Sequence, residues 1–281
     1  MRYFICLSYN GSAFCGWQIQ DNAPSVQEEL QKALSTLLRE SISVTGAGRT
    51  DSGVNAVNYI AHFNCQNPIQ NTAHAIYKLN AILPKEIAID YIIEVHETAH
   101  ARFDATSRSY KYFIHTKKEP FNSKFSYFIP HKQLDFEKMN IATKYFLGEQ
   151  DFSSLEKVNG GNKTSICNVT EAYWEPVEGF PNLNSKKEAQ NETPNKNNIY
   201  IGDNKEYHSY VFTVTANRFL RNMVRAMVGS LLEVGYGKKE PEWILEMLKQ
   251  KNRCAAGHSV PGNALFLYRI EYPYINNNST K

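Results

Sequence analysis

Cysteine is scarce in this chain of 281 residues: there are five, Cys6, Cys15, Cys65, Cys167 and Cys254. None stands in a Cys-x-x-Cys pair and the number is odd. That argues against a disulfide or zinc scaffold and for reduced thiols in a cytoplasmic chain. Long apolar runs are also missing. The start, Met1-Arg2-Tyr3-Phe4-Ile5-Cys6-Leu7, turns polar before a signal-type core can form, and no run reaches the length of a membrane span. Neither sign of charge dominates, the net charge being +3, so a uniformly basic coat is excluded. The expectation is a soluble, cytoplasmic protein with no membrane partner.

What is present suits one large domain or two of ordinary size. Hydrophobic residues make up 42% of the chain, and 17 tyrosines, 15 phenylalanines and 3 tryptophans suffice for a packed core with rings to spare for stacking. Basic charge is local. Arg102 to Lys118 carries five basic residues against one acid, and Asn217 to Arg225 carries three arginines and no acid. Stripes of this kind in a near-neutral chain suit a nucleic-acid groove, although either one alone also fits a solvated face.

Periodicity divides the chain into elements. Tyr3 to Tyr9 reads as a strand closed by the Asn10-Gly11 turn. Ser25-Val26-Gln27-Glu28 is a capping box, after which Val26, Leu30, Ala33, Leu34, Leu37 and Leu38 fall on one helical face. Strands are predicted over Ile42–Thr45, Asn58–Asn64 and Ile87–Val95, with a helix over Ala73–Leu83. Strand, helix, strand, strand, helix, strand is a ferredoxin-like order shared with RNA-recognition domains. The second half reads as strands over Ser109–His115, Asn168–Glu175, Tyr207–Ala216 and Leu265–Tyr272. Its helices are predicted over Asp135–Phe146, Phe219–Val234 and Trp243–Lys251. Between Glu178 and Glu206 the chain turns polar and asparagine-rich, an insertion or long hairpin tip and a poor place for catalysis.

One loop carries chemistry. Gly46-Ala47-Gly48-Arg49-Thr50-Asp51-Ser52-Gly53-Val54 presents a carboxylate, Asp51, among glycines that let the backbone turn sharply and approach a ligand. Arg49, two residues earlier, is expected to keep that carboxylate ionised. An isolated Asp-Ser-Gly is ordinary turn chemistry. A dinucleotide loop needs glycine where Asp51 stands, and a carboxylate there repels a pyrophosphate. No Lys-Ser or Lys-Thr follows for a Walker loop. Further on, Arg218, Arg221 and Arg225 are spaced three and four apart and share a helical face, with Leu220, Val224, Met227, Val228 and Leu231 beside them. Three arginines without an acid suit phosphates or a buried carboxylate. Tyr110, on an alternating strand, is by itself best read as a core aromatic.

The string around Asp51 resembles the signature loop of the tRNA pseudouridine synthase A family, and other segments follow in that family's order. They are Gly16-Trp17-Gln18, Val26-Gln27, His100-Ala101-Arg102-Phe103, Tyr110-Lys111-Tyr112, and Phe219 to Arg225 with Val228-Gly229. The resemblance runs from about the first residue to about 272. It implies an α+β pseudouridine synthase fold: two RRM-like halves, 1–106 and 107–275, join in a central antiparallel sheet with helices on one side and a basic cleft, leaving 276–281 as a tail. It implies that Asp51 is the nucleophile, that Tyr110 stacks on the target uracil, and that Arg225 pairs with Asp51. Arg49 and Leu265 would also contact substrate, and Arg218, Arg221, Arg108 and Lys111 the RNA backbone. The substrate implied is the anticodon arm of tRNA at uridines 38, 39 and 40, and the active form a homodimer. Turning uridine into pseudouridine oxidises nothing and adds nothing, so no cofactor or metal is expected.

Two other readings compete. An RNA-binding protein of the same fold without catalysis would have no need of a carboxylate beside phosphates. A zinc peptidase would rest on His96-Glu97-Thr98-Ala99-His100 alone, which binds metal only when both histidines share a helical face. Here the motif follows a β-rich run. Three features depart from the family. Asn55 stands where it usually has histidine, Ala264-Leu265-Phe266-Leu267 replaces Gly-Leu-x-Leu, and the 178–206 insertion is longer. These are expected to bear on substrate range more than on reaction type.

Overall fold

A computed structural model describes residues 1–130, 134–157, 164–177 and 208–275. The polar insertion at 178–206, the start of the predicted Tyr207 strand and the 276–281 tail lie outside the described residues. The strands are β1 (Arg2–Tyr9), β2 (Val44–Gly46), β3 (Asn55–Asn64), β4 (Ile87–Val95), β5 (Ser107–His115), β6 (Tyr127–Phe128), β7 (Gly148–Asp151), β8 (Ile166–Pro176), β9 (Ser209–Ala216) and β10 (Leu265–Glu271). The helices are α1 (Val26–Leu38), α2 (Thr72–Ile82), α3 (Phe136–Thr143), α4 (Met223–Gly235) and α5 (Trp243–Lys249). All ten strands join one mostly antiparallel sheet in the order β4-β1-β3-β10-β5-β9-β8-β7, with β2 on β3 and β6 on β5. Among the described residues no helix is long and apolar enough to cross a membrane.

The helices form for local reasons. Ser25 caps α1 by accepting the Glu28 N–H at 3.3 Å, Glu28 and Glu29 sit in its first turn, and Arg39 ends it at φ 57°. Val26, Leu30, Ala33 and Leu34 are its buried face. Along β10, Leu265 and Leu267 enter the two helix-packed cores, whereas Phe266 joins Phe113 and Val211 in a small cluster. Successive side chains alternate across a strand, so both large cores lie on one face at the middle of the sheet.

Among the predicted boundaries that move, two do so at an asparagine. The helix predicted from Phe219 begins only at Met223, because Asn222 takes φ 69°. Arg218 and Arg221 therefore precede α4 and do not share a helical face with Arg225. Strand β3 starts at Asn55, ahead of the predicted Asn58, and Asn58 itself takes φ 55°. The β1 register slips beside it, Leu7 pairing with Tyr59 but Tyr9 with Ala56. Asparagine enters the left-handed region more readily than most residues, and the extra residue makes a bulge.

One detail of the sheet creates the site. The edge of β3 is shared: Ala61 to Phe63 pair with β2, while Asn55 and Ala56 pair in parallel with Phe266 and Leu267 of β10. Residues 47–54, which link β2 to β3, emerge where these two neighbours part.

Candidate active site

The loop at this fork rests on aromatic rings. Trp17 and Tyr59 lie with ring centroids 4.3 Å apart, and Tyr9 meets Tyr59 edge-on at 5.7 Å. The Tyr59 hydroxyl donates to the Gly48 carbonyl and accepts the Gly48 N–H at 3.3 Å. Tyr9 and Thr50 share a hydroxyl contact of 2.8 Å, and the Trp17 N–H donates to the Thr50 carbonyl at 3.3 Å. Burial first, and the neighbouring Tyr9 and Tyr272 phenols with it, push the Tyr59 phenol well above its ordinary range, so it remains a neutral donor. A methyl at Gly46 would fall 2.2 Å from the Tyr59 hydroxyl and 2.5 Å from Trp17. Helix α1 steadies the approach: Gln27 donates to the Val44 carbonyl at 2.8 Å and Gln31 accepts the Val44 N–H at 3.0 Å.

Asp51 faces two arginines, one in the turn before α4 and one in its first turn. Arg221 Nε lies 3.4 Å from Oδ1 and Arg225 Nη1 3.4 Å from Oδ2. Arg225 is the better anchored, since its Nε donates to the Val260 carbonyl at 2.7 Å and its side chain is 23% exposed against 53% for Arg221. That anchor depends on Gly229, where a methyl would fall 1.7 Å from the His258 carbonyl oxygen. Glycine there lets residues 257–260 lie against α4, and Ser230 Oγ accepts the Gly257 N–H at 3.0 Å.

The remaining sequence candidates separate. Tyr110 stands in this site, with Phe219 edge-on at 4.9 Å. Burial pushes its phenol up to about 12, Arg108 pulls against this, and the Asp51 charge adds to the rise. Arg49 is exposed and makes no ion pair among the described residues; Arg221, not Arg49, joins Arg225 at the carboxylate. Arg108 donates to four carbonyls: those of Ala105 at 3.1 Å and Asn217 at 2.8 Å through Nη1, and those of Ala47 at 3.2 Å and Arg102 at 2.6 Å through Nη2. Lys111, on the opposite face of β5 from Tyr110, lies 4.1 Å from the Tyr268 ring centre. Arg218 donates to the Thr164 carbonyl at 3.1 Å. Leu265 is buried opposite Tyr112.

Asn55 acts as a strut. It is 2% exposed, accepts the Gly11 N–H at 2.9 Å, and donates to the Asn263 carbonyl at 2.7 Å. The His-Glu-x-x-His stretch lies on a turn between β4 and β5. His100 Nδ1 there accepts the Arg102 and Phe103 N–H groups at 3.1 and 3.2 Å, and the helix that a zinc motif needs is replaced by this turn. Sequence reasoning missed the Tyr9–Trp17–Tyr59 bed and gave Arg221 the wrong neighbours. Gly46 next to the Asp51 loop was the available signal for the bed, because a glycine inside a strand marks close approach.

Comparison with known proteins follows the same residues. Residues 142–273 match a family described as tRNA pseudouridine synthase. The chain is 45% identical over 272 residues to tRNA pseudouridine synthase A of Bacteroides thetaiotaomicron, covering 97% of this chain and 91% of the relative. It is 44% identical to the protein of that name from Parabacteroides distasonis, covering 97% and 96%, and 36% identical to that from Aliivibrio salmonicida, covering 97% and 93%. A solved archaeal box H/ACA sRNP complex aligns at 10% identity over 88% of this chain and 60% of its own, with a TM-score of 0.33, too low to bear on the fold.

Proposed function

The chain belongs to the tRNA pseudouridine synthase A family, and from that premise we propose that Asp51 is the nucleophile with which it works. The enzyme is an isomerase that converts uridine in tRNA to pseudouridine. The N1–C1′ bond breaks and a C5–C1′ bond forms; the C5 hydrogen leaves as a proton and N1 gains one, so there is no net redox change. The step calls for an ionised carboxylate beside the sugar or the pyrimidine ring. The observation that carries the assignment is Asp51 held between Arg221 and Arg225 at the fork of β2 and β10.

Tyr110 supplies a flat face for the flipped uracil, with Phe219 setting the ring's tilt. With its phenol held up to about 12, Tyr110 is protonated at neutral pH and offers the base a stacking surface. We read the substrate as the anticodon arm at uridines 38, 39 and 40, bound in a basic cleft between two RRM-like halves divided near residue 106. The sequential orders β4-β1-β3-β2 and β10-β5-β9-β8 support that division, each being a 4-1-3-2 arrangement. The enzyme acts in the cytoplasm as a homodimer.

Tritium release from tRNA labelled with 5-³H-uridine tests the proposal, with wild type and Asp51→Asn compared side by side. Release by the wild type alone is expected. Equal release by both removes Asp51 from its role, and release by neither with tRNA still bound favours an RNA-binding protein.

A further inference from the structure

Between β4 and β5 the chain holds an aromatic ring out in water. Phe103 is 75% exposed, yet it is not loose. The His100 imidazole lies against it with centroids 4.3 Å apart and an interplanar angle of 32°. His100 in turn meets His62 edge-on at 4.6 Å, and His62 is buried and accepts the Ala101 N–H at 3.1 Å. The Asp104 carboxylate accepts the His100 N–H and the Tyr274 hydroxyl, each at 2.7 Å. Tyr77 and Phe121 are similarly exposed, at 69% and 86%, but among the described residues neither has a ring contact. Folding alone does not favour fixing so exposed an apolar ring, since burying it would be more stable.

The place of the ring is also fixed. The Arg102 carbonyl and the Ala47 carbonyl both accept from Arg108 Nη2, which ties the Phe103 turn to the start of the Asp51 loop. The Arg102 guanidinium carbon lies over the Phe103 ring, 5.8 Å from its centre. Burial lowers the proton affinity of both imidazoles, that of His62 to about 4, so Arg102 is the cation beside the ring at neutral pH. A ring 75% exposed with a guanidinium over it offers the π-surface and the cation that an unpaired RNA base and its phosphate take up. A protein partner would favour a broad apolar patch over a single ring among His100, Arg102 and Asp104.

We propose that Phe103 is a stacking platform for an unpaired base of the tRNA substrate close to the target uridine, with Arg102 holding the adjoining phosphate. This rests on the tRNA reading above. The test uses Phe103→Trp, Phe103→Leu and Phe103→Ala with an unmodified tRNA transcript. Leucine keeps apolar area but lacks a π-face. Leucine and alanine are expected to raise KM about tenfold with kcat within about twofold, and tryptophan to match the wild type. The same loss is expected in tRNA affinity when Phe103→Leu is added to Asp51→Asn, a readout independent of turnover. Unchanged affinity in every variant, or leucine equal to tryptophan, overturns the platform. So does a shift in sedimentation toward smaller species with tRNA affinity intact, which marks a protein contact instead. Absence of tritium release by the wild type would sink the parent reading alone, and the affinity series would still decide the platform.

Discussion

The two sides of the β3–β10–β5 seam hold their functional groups by opposite means. Before β5, the carboxylate is placed by backbone: Gly46, Gly48 and Thr50 lie on the Tyr9–Trp17–Tyr59 rings, and Asp51 follows from where the chain is allowed to run. From β5 onward, the charges are placed by side chains that grip carbonyls, Arg225 on Val260 and Arg108 on Ala105, Asn217, Ala47 and Arg102. A short carboxylate has little reach, so its loop must be placed for it. A guanidinium has a long stem and five donors, so it can be anchored and still present an edge. The difference teaches where each side is fragile: the first to an added methyl, the second to loss of the planar fork.

Substitutions can break that comparison. The largest effect is expected for Asp51→Asn, with tritium release falling roughly 10⁴-fold and thermal unfolding little changed. Next is Arg225→Lys: an ammonium cannot serve both the Val260 carbonyl and Asp51, so kcat should fall about 10²-fold. Arg221→Lys, on the more exposed partner, should cost about tenfold in the same assay. Equal losses would mean that the Val260 anchor does not matter.

On the backbone side, Gly16→Ala is the sharper test. Gly16 has φ +96°, and a methyl there would fall 2.3 Å from the Thr50 carbonyl oxygen. A stability loss of roughly 2 kcal/mol or more is expected by denaturant titration, together with reduced kcat. Arg108→Met should cost about 1–3 kcal/mol by leaving partly buried carbonyls unpaired. Should Arg108→Met retain full kcat, the clamp would be structural only.

The smallest effect is on acid stability. Burial first, then His100 and Arg2, lower the His62 imidazole from 6.5 to about 4. The unfolded chain therefore binds a proton that the folded chain refuses, and stability present above pH 6.5 is lost as pH falls toward 4. His62→Gln, which keeps an acceptor for Ala101, should flatten that part of the unfolding profile by about 1–2 kcal/mol.

Much of this was legible in residue order. The β4 bounds and the start of α1 were read directly, because strand alternation and a capping serine are local signals. Asp51 stood out as a candidate from its loop, and its contact with Arg225 was implied by the resemblance of that segment. The start of α4 was not, since Arg218 to Arg221 keep helical spacing while Asn222 leaves the helix through one left-handed torsion. Nor was Arg221 at Asp51, a contact between residues 170 apart. Proximity in sequence favoured Arg49, but direction within a loop is set by what packs beneath it. The 3-residue strand β2 and 4-residue strand β7 are too short for a period to show.

Strand β10 comes after every other described strand along the chain, yet it stands between β3 and β5. A ribosome therefore releases the middle of the sheet after both flanks. Until residues 265–271 clear the exit tunnel, the inner edge of β5 and the open end of β3 wait as unpaired templates. Asp51 and Arg225 are brought together across a strand that has not yet been made. A chain stopped short of β10 should accordingly be inert, not partly active, and its bare inner edges should mark it for chaperones and proteases. Residues 265–271 thus complete the stretch of sheet across which Asp51 and Arg225 meet.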